Sequence, residues 1–157
     1  METNQIIKRL LDKSGINQDS KVLIPHFNSI SLTLAVHRLC PDLTVFCAMD
    51  CLWQLREPYA RRGILAQVAD SLLMWPNTHP NFMNKFSHVI VWDRDGKLRD
   101  VIDGSYKFLR PAGQIMGVSP YLPGNVTDEN LQCEVLDYDA PLAIFRLKQQ
   151  VLKIVGA

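Results

Sequence analysis

The sequence predicts an α/β protein built on a doubly wound, mostly parallel sheet that ends in an antiparallel hairpin. Three observations carry this expectation. First, Lys21–Pro25 (KVLIP), Leu43–Met49 (LTVFCAM) and Phe86–Trp92 (FSHVIVW) are short, continuous apolar runs rich in branched residues. Strands covered on both faces read this way, because neither face needs polar residues. Second, stretches with helical spacing of apolar residues lie between these runs, and alternating β and α units demand parallel strands joined by right-handed crossovers. Third, the chain closes on two β-like segments separated by Asp137-Tyr138-Asp139-Ala140, a spacing that suits a hairpin.

Taken in order, a helix is expected over Asn4–Ser14, with Ile6, Ile7, Leu10 and Leu11 on one stripe and Gly15 as its stop. The run at 21–25 follows as a strand. Asn28 or Ser29 can cap a second helix over Ile30–Leu39, which Pro41 prevents from continuing. The strand at 43–49 ends beside Asp50, and a third helix spans about Leu52–Arg62 up to Gly63, with Pro58 as a local conflict. Gln67–Ala69 reads as a brief strand. Phe86–Trp92 is the clearest buried strand, with the turn Asp93-Arg94-Asp95-Gly96 directly behind it. Lys97–Leu109 has apolar residues at helical spacing, stopped by Pro111-Ala112-Gly113, and Gln114–Ser119 is the fifth parallel strand. Pro120–Glu129 is a loop, and Leu131–Leu136 pairs with Pro141–Leu147. Val22, Leu23, Val45, Val89, Ile90, Val91 and Ile115 are the expected core.

At 157 residues the chain is expected to form one domain over 1–157, with a terminal helix in 1–16 and the sheet core in 18–148. With 47% hydrophobic and 21% charged residues it has the composition of a self-sufficient core, which excludes global disorder. Seventeen Lys and Arg face sixteen Asp and Glu, so no overall field favours nucleic acid or anionic lipid, although a local patch stays open. No apolar run approaches the roughly 20 residues that cross a bilayer, and the start lacks the basic and apolar blocks of a signal peptide. A cytoplasmic location is the expectation. Cys40, Cys47, Cys51 and Cys133 have no paired CxxC spacing, so they read as reduced, buried thiols and no metal site is expected. The partner is open: a substrate, another protein, or a second copy in a homo-oligomer.

Open sheets of this kind bind ligands at the carboxyl ends of their strands. The positions to interrogate are Pro25–Ile30, Asp50, Asp70 and Ser71, Trp92–Asp95, and Ser119–Tyr121. Asp50 lies 22 residues beyond Asn28 (50 minus 28), near the offset of about 20 at which such sheets place a ribose-binding acid. It can equally cap the helix that follows. Asp70 is a site acid or a turn former. Trp53 and Trp75 can stack on a purine, but Trp more commonly fills a core. His26 is a strand-end polar residue or a base poised near neutrality. Asp93 is a general base or the anchor of its turn.

Several segments resemble the class I S-adenosylmethionine-dependent methyltransferases over most of the chain, from about Gln18 to Lys148. Phe108-Leu109-Arg110-Pro111-Ala112-Gly113-Gln114-Ile115 looks like the turn that precedes that family's fifth strand. Leu43–Asp50 is similar to its second strand and ribose acid, and Val68–Pro76 to its third strand running into an acid near the adenine. The closing hairpin matches its reversed final strand pair. The resemblance implies a Rossmann-like methyltransferase fold, with S-adenosylmethionine as cofactor held by His26, Asn28, Asp50, Asp70 and Ser71, and Asp93 as the candidate catalytic group.

The sequence departs from the family where the cofactor's methionyl part approaches. The family's acid-x-Gly-x-Gly-x-Gly segment aligns with Ile24-Pro25-His26-Phe27-Asn28-Ser29-Ile30, so Ile24 replaces the acid, and His26, Asn28 and Ile30 replace the glycines. After the fourth strand, Trp92-Asp93-Arg94-Asp95-Gly96 stands where some members carry an Asn/Asp-Pro-Pro-aromatic box. Two functions follow: a methyltransferase-like protein with weak or lost cofactor binding, or a catalytically inactive relative kept as a protein-protein interaction module.

Overall fold

The computed structural model describes residues 3–56, 64–68, 80–121 and 131–149. Its sheet has seven strands in the order β3-β2-β1-β4-β5-β7-β6. These are β1 (Val22–Ile24), β2 (Leu43–Cys47), β3 (Ile64–Val68), β4 (Phe86–Trp92), β5 (Leu109–Ser119), β6 (Leu131–Asp139) and β7 (Leu142–Gln149). The first five pair in parallel, and β7 inserts antiparallel between β5 and β6. Among the described residues, four α-helices accompany them: α1 (Thr3–Asp12), α2 (Ile30–Leu39), α3 (Leu52–Arg56) and α4 (Arg99–Gly104). The doubly wound, mostly parallel sheet with a C-terminal hairpin is therefore the architecture observed.

Continuous apolar runs become strands because both sheet faces are covered. Along β4, Ile90 and Trp92 join a core with Ile6, Ile7 and Leu10 of α1, Leu32 and Val36 of α2 and Leu55 of α3. Phe86, Val89 and Val91 join a second core with Phe46, Phe82, Ile102 of α4, Phe108 and Phe145. All seven residues expected in the core are at most 1% exposed. Aromatic packing closes the second core, with Phe46 edge-on to Phe82 and Phe108 at centroid distances of 5.5 and 5.7 Å.

Several boundaries differ from the sequence expectation. The third strand runs over 64–68 rather than 67–69, because its register with β2 begins at Leu43↔Ile64. The helix expected over 97–109 is only α4, followed by a 3-10 turn at Ser105–Phe108, and Leu109 already belongs to β5. Gly104 weakens the helix interior, and Pro111 biases the residue before it toward extended backbone. Gly113 then fits a tight approach: a Cβ there would lie 2.9 Å from the Arg110 carbonyl and 3.0 Å from that of Phe86. The hairpin strands are longer than expected, leaving only Ala140-Pro141 between them. Trp53, for which core or seam packing is the commoner reading and purine stacking the alternative, is 60% exposed. Of the cysteines, Cys40 and Cys47 are buried, but Cys51 and Cys133 are only half-buried. Of the expected helix at 52–62, only 52–56 falls among the described residues.

Candidate functional site at the carboxyl ends of the strands

The winding reverses between β1 and β4, since β2 and β3 lie to one side of β1 and β5 to the other side of β4. That switch point is where a sheet of this type leaves a crevice. The segment after β1 forms one wall. Its backbone still pairs with β2 three residues past the end of β1, with Phe27 N donating to the Phe46 carbonyl at 2.9 Å, and the Phe27 side chain is buried. Ser29 rather than Asn28 caps α2, accepting from Leu32 N at 3.2 Å. Asn28 is thereby free to turn across the switch point, where its amide donates to the Trp92 carbonyl at 2.6 Å. Neither His26, Asn28 nor Ile30 has a positive φ; among the described residues the non-glycine ones that do are Asn84 and Ala112. The loop avoids left-handed strain by not making the turn that glycines permit.

His26 is exposed at the end of β1. Partial desolvation lowers its pKa below the ordinary 6.5, opposed by the negative charge of Asp93. Asp93 itself is 2% exposed. One carboxylate oxygen accepts from Lys97 N at 2.9 Å and Leu98 N at 3.3 Å, and the other from the Ser119 hydroxyl at 3.1 Å. Its own amide donates to the Val118 carbonyl at 2.8 Å. The carboxylate therefore ties the turn after β4 to the end of β5, the turn-anchoring arrangement that Asp supplies through its side chain. Tyr121 completes this wall: its amide donates to Ser119 Oγ at 3.2 Å, and its ring covers Gly96, where a Cβ would meet it at 2.3 Å.

Asp50 lies within a 3-10 turn, Met49–Cys51, whose cap is Ala48 with no side-chain cap bond. It does not cap the helical segment, and it is exposed. Beside it, Met49 is 66% exposed, and the Cys51 thiol is pushed up by burial and by Asp50. The structure thus brings His26, Asn28 and Asp93 together around the switch point and sets Asp50 at the end of the neighbouring β2. Asp70, Ser71 and Trp75 lie outside the described residues.

Sequence reasoning did not single out a polar cluster buried at the opposite end of the sheet. His88 contacts Ser87 Oγ at 2.8 Å through Nδ1 and the Ser14 carbonyl at 3.0 Å through Nε2, and the Gln114 amide nitrogen lies 2.9 Å from Nε2. Burial lowers the His88 pKa, the Ser14 carbonyl acts the other way, and Arg110 lowers it further. The only available signal was a histidine inside an otherwise apolar strand.

Similarity to solved structures is extensive. A precorrin-6y C5,15-methyltransferase from Geobacter metallireducens superposes with a TM-score of 0.68 and 16% identity, covering 93% of this chain and 88% of its own. A SAM-dependent O-methyltransferase from Thermotoga maritima gives 0.67 at 11% identity, over 98% and 67%. The N-methyltransferase NodS from Bradyrhizobium japonicum, in complex with S-adenosyl-L-homocysteine, gives 0.60 at 16% identity, over 93% and 85%. No family model and no curated protein sequence matches. The chain has the Rossmann-like fold of the methyltransferases, and at these identities the likeness establishes the fold.

Proposed function

We propose that this chain is a methyltransferase-like protein that has diverged so far at its cofactor crevice that it binds S-adenosylmethionine weakly or not at all. The observation that carries the reading is the Asn28 bridge. In this fold the methionyl part of the cofactor approaches the loop after β1. Here that loop draws Phe27 into the core and spans the β1–β4 gap with the Asn28 amide on the Trp92 carbonyl.

The two halves of the crevice differ in how they suit the cofactor. Asp50 is exposed and not engaged in a cap, as a ribose-binding carboxylate needs to be. The methionyl side lacks the glycine turn and carries a side chain there instead. One or two hydroxyl bonds at about 1.5–3 kcal/mol each do not offset a path that a side chain occupies. The residues present do not fit the whole cofactor, and Asp93, engaged by Lys97, Leu98 and Ser119, acts in this reading as the anchor of its turn.

A catalytically inactive interaction module is the second reading, favoured by Met49 and Trp53, two large apolar side chains exposed at the rim. Aromatic and Met side chains are the usual anchors of protein interfaces. Isothermal calorimetry with S-adenosylmethionine and S-adenosylhomocysteine tests the cofactor claim. No saturable heat up to about 1 mM ligand is expected, and a Kd near 1 μM, or about −8 kcal/mol, overturns it.

A further inference from the structure

We infer that the amino-terminal pole of the sheet, opposite the crevice, is a binding surface for the phosphate backbone of nucleic acid. The chain's near-neutral total charge hides a local arrangement that the strand order creates. Strands β1, β4, β5 and β7 are consecutive in the sheet, and each carries a cation at this pole. Lys21 precedes β1, Lys85 precedes β4, Lys107 and Arg110 flank the start of β5, and Lys148 lies near the end of antiparallel β7.

The backbone contacts fix these residues as neighbours. Ser87 N donates to the Lys21 carbonyl at 2.9 Å, Lys85 N to the Phe108 carbonyl at 3.0 Å, and Asn84 N to the Lys107 carbonyl at 3.0 Å. Gln114 of β5 pairs with Lys148 of β7. Three strand-to-strand steps of about 4.8 Å make a row roughly 14 Å long.

Among the described residues, no member of this row forms an ion pair; the pairs present are Arg9–Asp137 and Arg146–Glu134. Asp19 and Asp42 lie in the segments that lead into β1 and β2, where the Asp42 carbonyl accepts from Val22 N at 3.0 Å. The ammonium of Lys85 sits over the Phe82 and Phe86 rings at 5.4 and 6.0 Å, which holds its stem down while leaving the charge at the surface.

The character of the row selects the partner. Among the described residues the large exposed apolar side chains are Leu39, Met49, Trp53, Leu65, Tyr121, Val135 and Tyr138, and none belongs to it. A protein partner would be anchored by such groups. A line of cations without them suits a polyanion recognised by charge and spacing, as phosphate contacts position nucleic acid without reading sequence.

The test is fluorescence anisotropy with a labelled single-stranded RNA of about 20 nucleotides. Neutralising about four phosphates gives a salt slope near −3, so affinity falls roughly 50-fold between 50 and 200 mM salt. Arg110→Glu combined with Lys148→Glu, both at exposed positions, is expected to weaken binding at least tenfold. Lys21→Gln with Lys85→Gln provides a second, charge-neutralising pair whose expected effect is also a loss, and circular dichroism checks that each variant is folded. Lys8→Glu with Arg38→Glu, in the groove between α1 and α2, is expected to leave binding within twofold. Absence of binding at 50 mM salt, or binding unchanged in both row variants, overturns the inference. Displacement of the RNA by polyglutamate at equal charge concentration also overturns it, in favour of an acidic protein.

Discussion

Replacing Asp93 separates a turn anchor from a group reserved for chemistry. In Asp93→Ala the buried carboxylate is lost, together with three acceptances: Lys97 N at 2.9 Å, Leu98 N at 3.3 Å and Ser119 Oγ at 3.1 Å. Bonds to a charged acceptor contribute about 1.5–3 kcal/mol each. The low end applies, because Lys97 is exposed and water can reach its amide. The gross loss is then about 4 kcal/mol, and relief of the carboxylate's desolvation offsets part of it, leaving roughly 2–3 kcal/mol. For a chain of this size that lowers Tm by about 5–10 °C. Asp93→Asn keeps Oδ1 for both amides, and the rotating Ser119 hydroxyl can accept from the new amide, so its cost stays below about 1 kcal/mol. Differential scanning calorimetry of the two variants reads this contrast directly. A second readout is the His26 pKa by NMR, which falls further in both variants because the Asp93 charge that raises it is gone. Equal Tm values for wild type and Asp93→Ala would refute the anchoring role.

Three further outcomes follow from the packing. Gly117→Ala places a Cβ 2.2 Å from the Val91 carbonyl and 3.1 Å from the Phe145 ring; prying β4 from β5 costs about 3 kcal/mol, visible as a urea midpoint shift with unchanged m. Acid lowers stability through His88: its folded pKa lies below the unfolded 6.5, so from near pH 6.5 downward the unfolded state binds more protons and stability falls with pH. His88→Gln flattens that decline in urea titrations between pH 7 and 5, and an unchanged slope contradicts the assignment. Val91→Asp puts an unpaired charge into the second core at a residue 1% exposed, which leaves the domain unfolded by circular dichroism at 25 °C.

The sheet was legible because its inner strands are covered on both sides, which leaves a signature in five to seven consecutive letters. LTVFC and FSHVIVW need no partner to be recognised. Edges were less legible: ILAQV, with Leu65 46% exposed, offers a weaker run, so β3 was expected three residues late. The stretch 97–109 has helical spacing throughout, but spacing does not register that Leu109 pairs with Phe86 in the sheet. The site shows the same divide. The residue types at 26, 28, 50 and 93 were visible, and so was the missing glycine turn. That Asn28 reaches Trp92, 64 positions away, was not, because that bond is set by the switch point between β1 and β4 rather than by any local pattern. Ser119 as the partner of Asp93 has the same origin, arising from the β4–β5 register.

The most direct test of the closed crevice is calorimetric titration of S-adenosylhomocysteine into wild type and into His26→Gly/Asn28→Gly, with Ile30 left in place because it packs against the core. No saturable heat is expected for wild type, a measurable Kd for the glycine variant, and loss of that gain when Asp50→Ala is added. Micromolar binding to wild type, left unchanged by the glycine substitutions, would contradict it.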